Sequence, residues 1–289
     1  MTIALVLILV VVGSVLFHVW SPWWWTPIAS NWRYIDDTIL ITFWITGIVF
    51  VAVVLFMAYC LIRFRHRPGQ KAIYEPENKK LEWGLTIATG VGVAAMLAPG
   101  LFVWNQFITV PEDATEVEAL GQQWQWSYRL PGKDGRLGMS GTHNVSTDNP
   151  LGLSSHDPNA KDDIVIEGAD LHLEIDKPVK LLMRSVDVIH NFYVPEFRTK
   201  MDIVPGMVTY VWFTPTRTGT FEVFCAEFCG TAHYAMRGKV VVDTEADYQT
   251  WLSQQKTFES LTAEAAHTKT AAVGEEPMDQ GEKTTGAKR

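Results

Sequence analysis

Cysteine is scarce in this chain, at three in 289 residues, which excludes the disulfide-dense scaffolds of small secreted domains. Charge is sparse as well. Asp, Glu, Lys and Arg make up 19%, and acids exceed bases to leave a formal net charge of -8. That balance excludes nucleic acid as a partner and suits a basic one. The first apolar stretch, Ile3–Val19, has no Lys or Arg ahead of it, so the basic n-region of a secretory signal is missing. No segment repeats internally.

What is abundant is apolar side chain: 47% of residues, with 12 Trp, which is heavy for a wholly soluble protein. It is concentrated in the first hundred or so positions. Ile39–Ile62 and Leu85–Val103 approach the roughly 20 residues that cross a bilayer, and predict a transmembrane helical hairpin over 36–105. A pair of buried core helices would need a larger soluble shell than this chain supplies. Arg63, Arg65, Arg67, Lys71, Lys79 and Lys80 fall in the connecting loop, 63–81, which puts that loop in the cytoplasm and everything after Trp104 outside. Trp32, Trp44, Trp83 and Trp104 flank the spans as interfacial anchors would. Residues 1–20 fit either a signal peptide that is cleaved or an extra transmembrane helix. The Trp20 and Trp23–Trp25 cluster resembles an interfacial belt and tips the reading toward a retained helix.

Beyond 106 the pattern changes to short β-type runs broken by Pro and Gly: Glu116–Leu120, Trp124–Tyr128, Ile164–Glu167, Leu171–Ile175, Val179–Arg184, Val208–Phe213, Thr220–Phe224 and Lys239–Val242. These predict an external all-β sandwich or barrel over 106–255. A polar segment at 131–163, rich in Gly, Ser, Asn and Asp, reads as a long surface loop inserted into the sheet. Asp247–Leu252 reads as a short closing helix. From 256 to 289 the composition predicts a disordered tail.

Cys60 lies within a span and is most simply an apolar filler. The other two cysteines occur in Cys225-Ala-Glu-Phe-Cys229-Gly-Thr-Ala-His233-Tyr-Ala-Met236, directly after a predicted strand. Taken alone they fit a structural disulfide as well as a metal site. Their company favours metal: His233, Met236, and His190, which follows another predicted strand. Two thiolates, two imidazoles and a thioether form a soft to borderline set suited to copper. Zinc has little use for the thioether. A single blue-copper ion leaves one thiolate surplus, whereas two coppers bridged by two thiolates use every donor.

The run from Cys225 to Met236, with Asp187-Val-Ile-His190 upstream and the aromatic segment Gly121-Gln-Gln-Trp-Gln-Trp-Ser-Tyr128, resembles subunit II of cytochrome c oxidase, a CuA-containing member of the haem-copper oxidases of bacterial type. The resemblance implies a helical hairpin followed by a cupredoxin-like sandwich. It implies that Cys225 and Cys229 bridge two coppers, that His190 and His233 each bind one, and that Met236 and the backbone carbonyl of Glu227 complete the shells. It further implies that the Glu227 side chain reaches a magnesium or manganese ion shared with the partner subunit. Trp124 would receive the electron from cytochrome c, Asp187 would belong to the docking patch for that donor, and Glu82 would mark the entrance of a proton channel into subunit I.

Each of these residues also has a plainer reading. Trp124, Trp126 and Tyr128 alternate as one buried strand face would, Glu82 suits the first turn of any helix, and Glu227 could be a solvated loop carboxylate. Val186 stands where some relatives are acidic, so docking charge could sit instead on Glu222 or the inserted loop. The expected function is the electron-accepting step of oxygen reduction coupled to proton pumping, in the bacterial inner membrane, beside subunits I and III. A quinol oxidase subunit would lack the copper ligands. A nitrous oxide reductase would need more histidine and length, and a membrane-tethered copper-delivery protein would leave Glu82 and Trp124 without a role. No Cys-x-x-Cys-His haem motif occurs, so the cytochrome c donor should be a separate protein.

Overall fold

The computed structural model describes residues 1–21, 26–71, 73–147 and 149–265. The expected Trp23–Trp25 belt lies outside the described residues. Three helices lead: α1 (Thr2–Trp20), α2 (Arg33–Arg63) and α3 (Lys79–Ile108). All three are long and apolar enough to cross a membrane. Within α2 the hydroxyls of Thr38, Thr42 and Thr46 donate to carbonyls one turn back at 2.7–2.9 Å, which satisfies them without water. α1 packs along α2 and buries Ala4 and Val11. Asn78 caps α3 by accepting from the Leu81 amide.

The external part is a two-sheet sandwich. One sheet has the order β3 (Ile164–Glu167), β2 (Gln125–Leu130), β1 (Thr115–Gln122), β5 (Val179–Ser185), β8 (Thr209–Phe213). The other runs β4 (Leu171–Glu174), β10 (Arg237–Asp243), β9 (Gly219–Cys225), β6 (His190–Val194), β7 (Thr199–Ile203). Inward side chains such as Val117, Leu181, Met183, Phe192, Phe213 and Val223 interdigitate between them. Two strands escape the sequence pattern. β6 and β7 mix Asn, Lys and Asp with apolar residues, which hides the alternation. His190 therefore opens a strand rather than following one.

The 131–163 insertion is not a bare surface loop. It carries a short helix, α4 (Pro158–Lys161), capped by Asp157, and lays Leu151, Leu153 and Ala160 over Leu120. β1 and β2 are consequently buried on both faces, including Glu118 and Arg129. Arg129 pairs with Glu118, reaches Asp163 at 2.8 Å and donates to the Gly138 carbonyl at 2.7 Å. Arg184 also pairs with Glu118 and donates to the Leu151 carbonyl at 2.8 Å. Burial pushes the Asp163 carboxyl up to about 6, with Arg129 opposing the rise.

The closing helix is α5 (Glu245–Leu252), whose Trp251 stacks on His172 at 4.4 Å. The tail is not disordered from 256 onward. Residues 258–265 are helical, Phe258 is buried beside the insertion, and its amide donates to the Asp163 carbonyl at 2.8 Å. A single buried aromatic suffices to dock a segment whose composition reads as polar. Residues 266–289 lie outside the described residues.

Anchor and sandwich share one core. Ala29 and Trp32, from the link between α1 and α2, are buried among the sandwich residues. Trp32 is only 1% exposed, and its indole donates to the Trp212 carbonyl at 2.9 Å. It is therefore a core residue and not an interfacial anchor, whereas Trp44, Trp83 and Trp104 are exposed.

Candidate metal centre

β9 ends at Cys225, and the chain loops out through Cys229 to a short helical turn at His233–Ala235. It then returns as β10, antiparallel to β9. The Cys225 amide donates to the Met236 carbonyl at 3.2 Å and closes the loop. β6 lies on the other flank of β9, with Phe192 opposite Cys225, which brings His190 to the loop from a distant part of the chain. Gly121 makes room for it: a Cβ there would meet the His190 ring at 3.1 Å.

The donors converge. Cys225 Sγ lies 3.7 Å from Cys229 Sγ, 3.8 Å from His190 Nδ1 and 3.2 Å from the Glu227 carbonyl. Cys229 Sγ lies 3.5 Å from His233 Nδ1 and 3.7 Å from Met236 Sδ. A disulfide needs about 2.05 Å between sulfurs; both cysteines are free thiols. Cys225, Cys229, His190 and Met236 are buried, and His233 is half-buried. Two facing sulfurs flanked by two imidazoles, a thioether and a carbonyl fit a pair of soft cations.

The electrostatics of the two thiols are those of one coupled pair. Burial opposes ionisation of Cys225, but hydrogen bonds led by that with His190 outweigh it and draw its pKa down to about 6. Burial and the neighbouring Cys225 sulfur push Cys229 up. One proton leaves easily and the second is held, a cost that bound cations would offset.

Asp187 is exposed, and its carboxylate is engaged at the site. One carboxylate oxygen accepts from His190 Nε2 at 2.9 Å and from the Val188 amide at 2.7 Å, and the other accepts from the Gln123 amide at 2.7 Å. Burial alone would raise its pKa, but these donors hold it below the usual carboxylate range. The same contacts, with Cys225, raise His190 against the lowering effect of its burial. Asp187 thus fixes the ring so that Nδ1 faces the sulfurs, the usual task of a metal-site outer partner.

Trp124 sits in the turn between β1 and β2, outside the alternation that buries Trp126 and Tyr128. It is 39% exposed, and its indole donates to the Cys229 carbonyl at 3.2 Å. Gln123, which the sequence reading overlooked, donates from its side chain to the same carbonyl at 2.8 Å. Gly230, also overlooked, has φ +119°, and a Cβ there would lie 2.9 Å from Gln123 Nε2 and 3.2 Å from Trp124 Cζ2. A glycine directly after the second cysteine was the available signal.

The Glu227 side chain is exposed. Among the described residues no further cluster of His, Cys and acidic ligands accompanies it. Glu82 lies in the first turn of α3, exposed, at the opposite end of a 30-residue helix from the sandwich, roughly 45 Å away along its axis. The structure thus gathers His190, Cys225, Glu227, Cys229, His233 and Met236, adds Trp124 and Asp187 at the rim, and leaves Glu82 apart.

Comparison with known proteins gives concordant results. The family model described as cytochrome C oxidase subunit II, periplasmic domain, matches residues 115–245. The alternative cytochrome c oxidase subunit 2 of Bradyrhizobium diazoefficiens is 69% identical over 266 residues, covering 92% of this chain and 96% of the relative. Cytochrome c oxidase subunit 2 of Cereibacter sphaeroides is 28% identical over 239 residues, covering 80% of this chain and 78% of the relative. Among solved structures, the periplasmic domain of subunit II of cytochrome oxidase from Bradyrhizobium japonicum aligns at TM-score 0.37 with 26% identity, covering 50% of this chain and 95% of that one. By a similarity that runs over nearly its whole length, this chain belongs to the cytochrome c oxidase subunit II family.

Proposed function

We propose that the chain is the electron-accepting subunit of a bacterial inner-membrane oxidase. It takes single electrons from a separate cytochrome c and delivers them to haem in subunit I, where oxygen is reduced to water with proton pumping; subunit III completes the core. The observation that carries this reading is the convergence of two free thiols 3.7 Å apart with two imidazoles, a thioether and a carbonyl. A dinuclear copper centre held by Cys225, Cys229, His190, His233, Met236 and the Glu227 carbonyl would supply one-electron storage with little change of geometry.

The chain's own residues do the rest. Asp187 holds His190 in one tautomer, with Nε2–H donated outward and Nδ1 free for the metal. The β6–β9–β10 framework keeps the donors from relaxing when charge changes. Trp124, exposed on one face and hydrogen-bonded to the Cys229 carbonyl, offers an aromatic contact for the donor haem protein. Asp187, exposed beside the site, would belong to the docking patch for that donor, with Glu222 as a further source of acidic charge. Glu227 presents its exposed carboxylate toward the partner subunit, where it would supply one oxygen to a shared magnesium or manganese ion. Glu82, at the cytoplasmic end of α3, would admit protons to subunit I.

An electron paramagnetic resonance spectrum of the copper-loaded chain tests the centre. One electron shared by two equivalent coppers gives a seven-line hyperfine pattern; a four-line mononuclear signal, or no copper retained, would overturn the assignment. Trp124→Ala should slow reduction by cytochrome c and leave that spectrum intact, whereas an altered spectrum would make the residue structural.

A further inference from the structure

The external domain is held to the membrane hairpin by a seam of residues, and one side chain in that seam is built as a clamp. Arg198 follows the Pro195–Phe197 turn that joins β6 to β7, and its backbone adopts the left-handed conformation, φ +56°. That conformation is uncommon for a residue with a Cβ and is kept only where the surroundings impose it. Here the guanidinium is tied on several sides. Nε donates to Asp36 Oδ1 at 2.6 Å and Nη2 to Asp36 Oδ2 at 2.9 Å, a two-pronged pair. Nη2 also reaches the Thr26 carbonyl at 2.7 Å, and Nη1 donates to the Pro195 carbonyl at 2.5 Å.

The partners belong to different parts of the molecule. Asp36 lies in the first turn of α2, where its charge also suits the helix dipole. Thr26 belongs to the link before it, and Pro195 to the sandwich. Both members of the ion pair are largely shielded, with side-chain exposures of 11% and 19%, so solvent screens them less than a surface pair. The seam around the clamp is backbone-paired: the Ala29 amide donates to the Glu196 carbonyl at 2.8 Å, and the Thr216 amide to the Ala29 carbonyl at 2.9 Å.

β6 carries the consequence. Its first residue is His190, in the metal centre, and the turn after its last residue leads to Arg198. The strand's five residues span about 13 Å. A tilt of the sandwich about the top of α2 would therefore displace the metal centre by ångströms while leaving its internal geometry untouched. Electron tunnelling falls exponentially with distance, so the rate of delivery to a haem in a membrane partner depends on that tilt.

We propose that Arg198, through Asp36, is a positioning residue that sets the distance from the metal centre to the electron acceptor in the partner subunit. This rests on the electron-transfer function proposed above. The test uses the assembled oxidase carrying Arg198→Ala, Asp36→Asn, the double variant, and Arg198→Lys, which keeps the charge but loses the fork. Flash-initiated electron transfer from copper to haem should slow severalfold in each single variant. It should slow no further in the double variant, because the two residues act as one unit. Reduction of copper by cytochrome c and the copper spectrum should not change. Unaltered copper-to-haem transfer in Arg198→Lys and Asp36→Asn, or slowing matched by an altered copper spectrum, would overturn the proposal. If copper in the unsubstituted oxidase is not reduced by cytochrome c at all, the electron-accepting function fails independently of Arg198.

Discussion

Replacing Arg129 by Met tests whether the buried ionic network holds the insertion onto the sheet. Met matches the length of the side chain and removes its charge. Arg129 is 3% exposed and serves Glu118, Asp163 and the Gly138 carbonyl. Its loss leaves Glu118 with Arg184, but leaves Asp163, fully buried, with only the Gly138 amide at 3.0 Å. Breaking a buried pair from one side costs about 3–5 kcal/mol. For a domain of this size that corresponds to a fall in Tm of roughly 6–20 °C. The loss should depend on pH. Asp163 has a folded pKa raised to about 6, so its ionised form already opposes folding above that value, and removing its cation deepens the opposition. Below it the carboxyl is protonated and needs no partner. Thermal unfolding of the copper-loaded chain, followed by near-ultraviolet circular dichroism at pH 7.5 and pH 5, reads both effects. A loss below about 1 kcal/mol, typical of a surface pair, or one equal at the two pH values, would refute the account.

Gly230→Ala places a Cβ 3.2 Å from Trp124 Cζ2 at φ +119°, which costs on the order of 1–3 kcal/mol. It should slow stopped-flow reduction by cytochrome c, and an unchanged rate would show that the Trp124 contact with the loop is dispensable. Asp187→Asn removes the charge that orients His190, and chelator competition should show copper affinity lower by about 10–100-fold. In the metal-free chain the lowered Asp187 contributes stability above its unfolded value, about 3.9, that is lost as pH falls through its folded one. The raised His190 contributes below about 6.5 and loses its contribution as pH rises through its folded value. Metal-free stability from the pair should therefore peak between these limits in thermal unfolding, and Asp187→Asn should flatten the acid side. Trp32→Ala should cost about 3–5 kcal/mol and lower the Tm of the whole chain. A Tm unchanged by the substitution would mean that anchor and sandwich unfold independently.

The membrane helices and most strands are legible because each depends on a local period: continuous apolar runs for α2 and α3, alternation for β3, β5 and β9. The candidate metal donors are legible because five of the six lie within twelve residues, and their chemistry excludes most other metals. What stays hidden is what depends on a distant neighbour. β1 and β2 lose their alternation because the insertion covers their outer face, and Glu118 and Arg129 look like ordinary surface charges until that cover is seen. Trp32 reads as an interfacial residue because its neighbours are membrane helices, yet its ring packs on Trp212 at 4.7 Å, 180 residues away. Asp187 resembles a docking carboxylate because it matches an acidic residue of the family's docking patch. Only the fold reveals that its carboxylate also holds the His190 ring and the Gln123 amide.

Cys229 is where the two faces of the centre meet. Its carbonyl accepts from both Trp124 and Gln123, on the side where Trp124 is exposed. Its sulfur faces Cys225, His233 and Met236, within the loop that also exposes Phe228 at 76% and Tyr234 at 82%. A single peptide unit therefore couples the Trp124 rim to the metal-donor set. Gln123 extends the coupling, since its own amide is held by Asp187, which in turn holds His190. Displacing any member shifts the others. The closed ring of contacts from Cys229 through Gln123 and Asp187 to His190 and back through Cys225 keeps both imidazoles in register with both sulfurs. That closed ring is what the proposed one-electron site would need if its geometry is to be nearly the same before and after reduction.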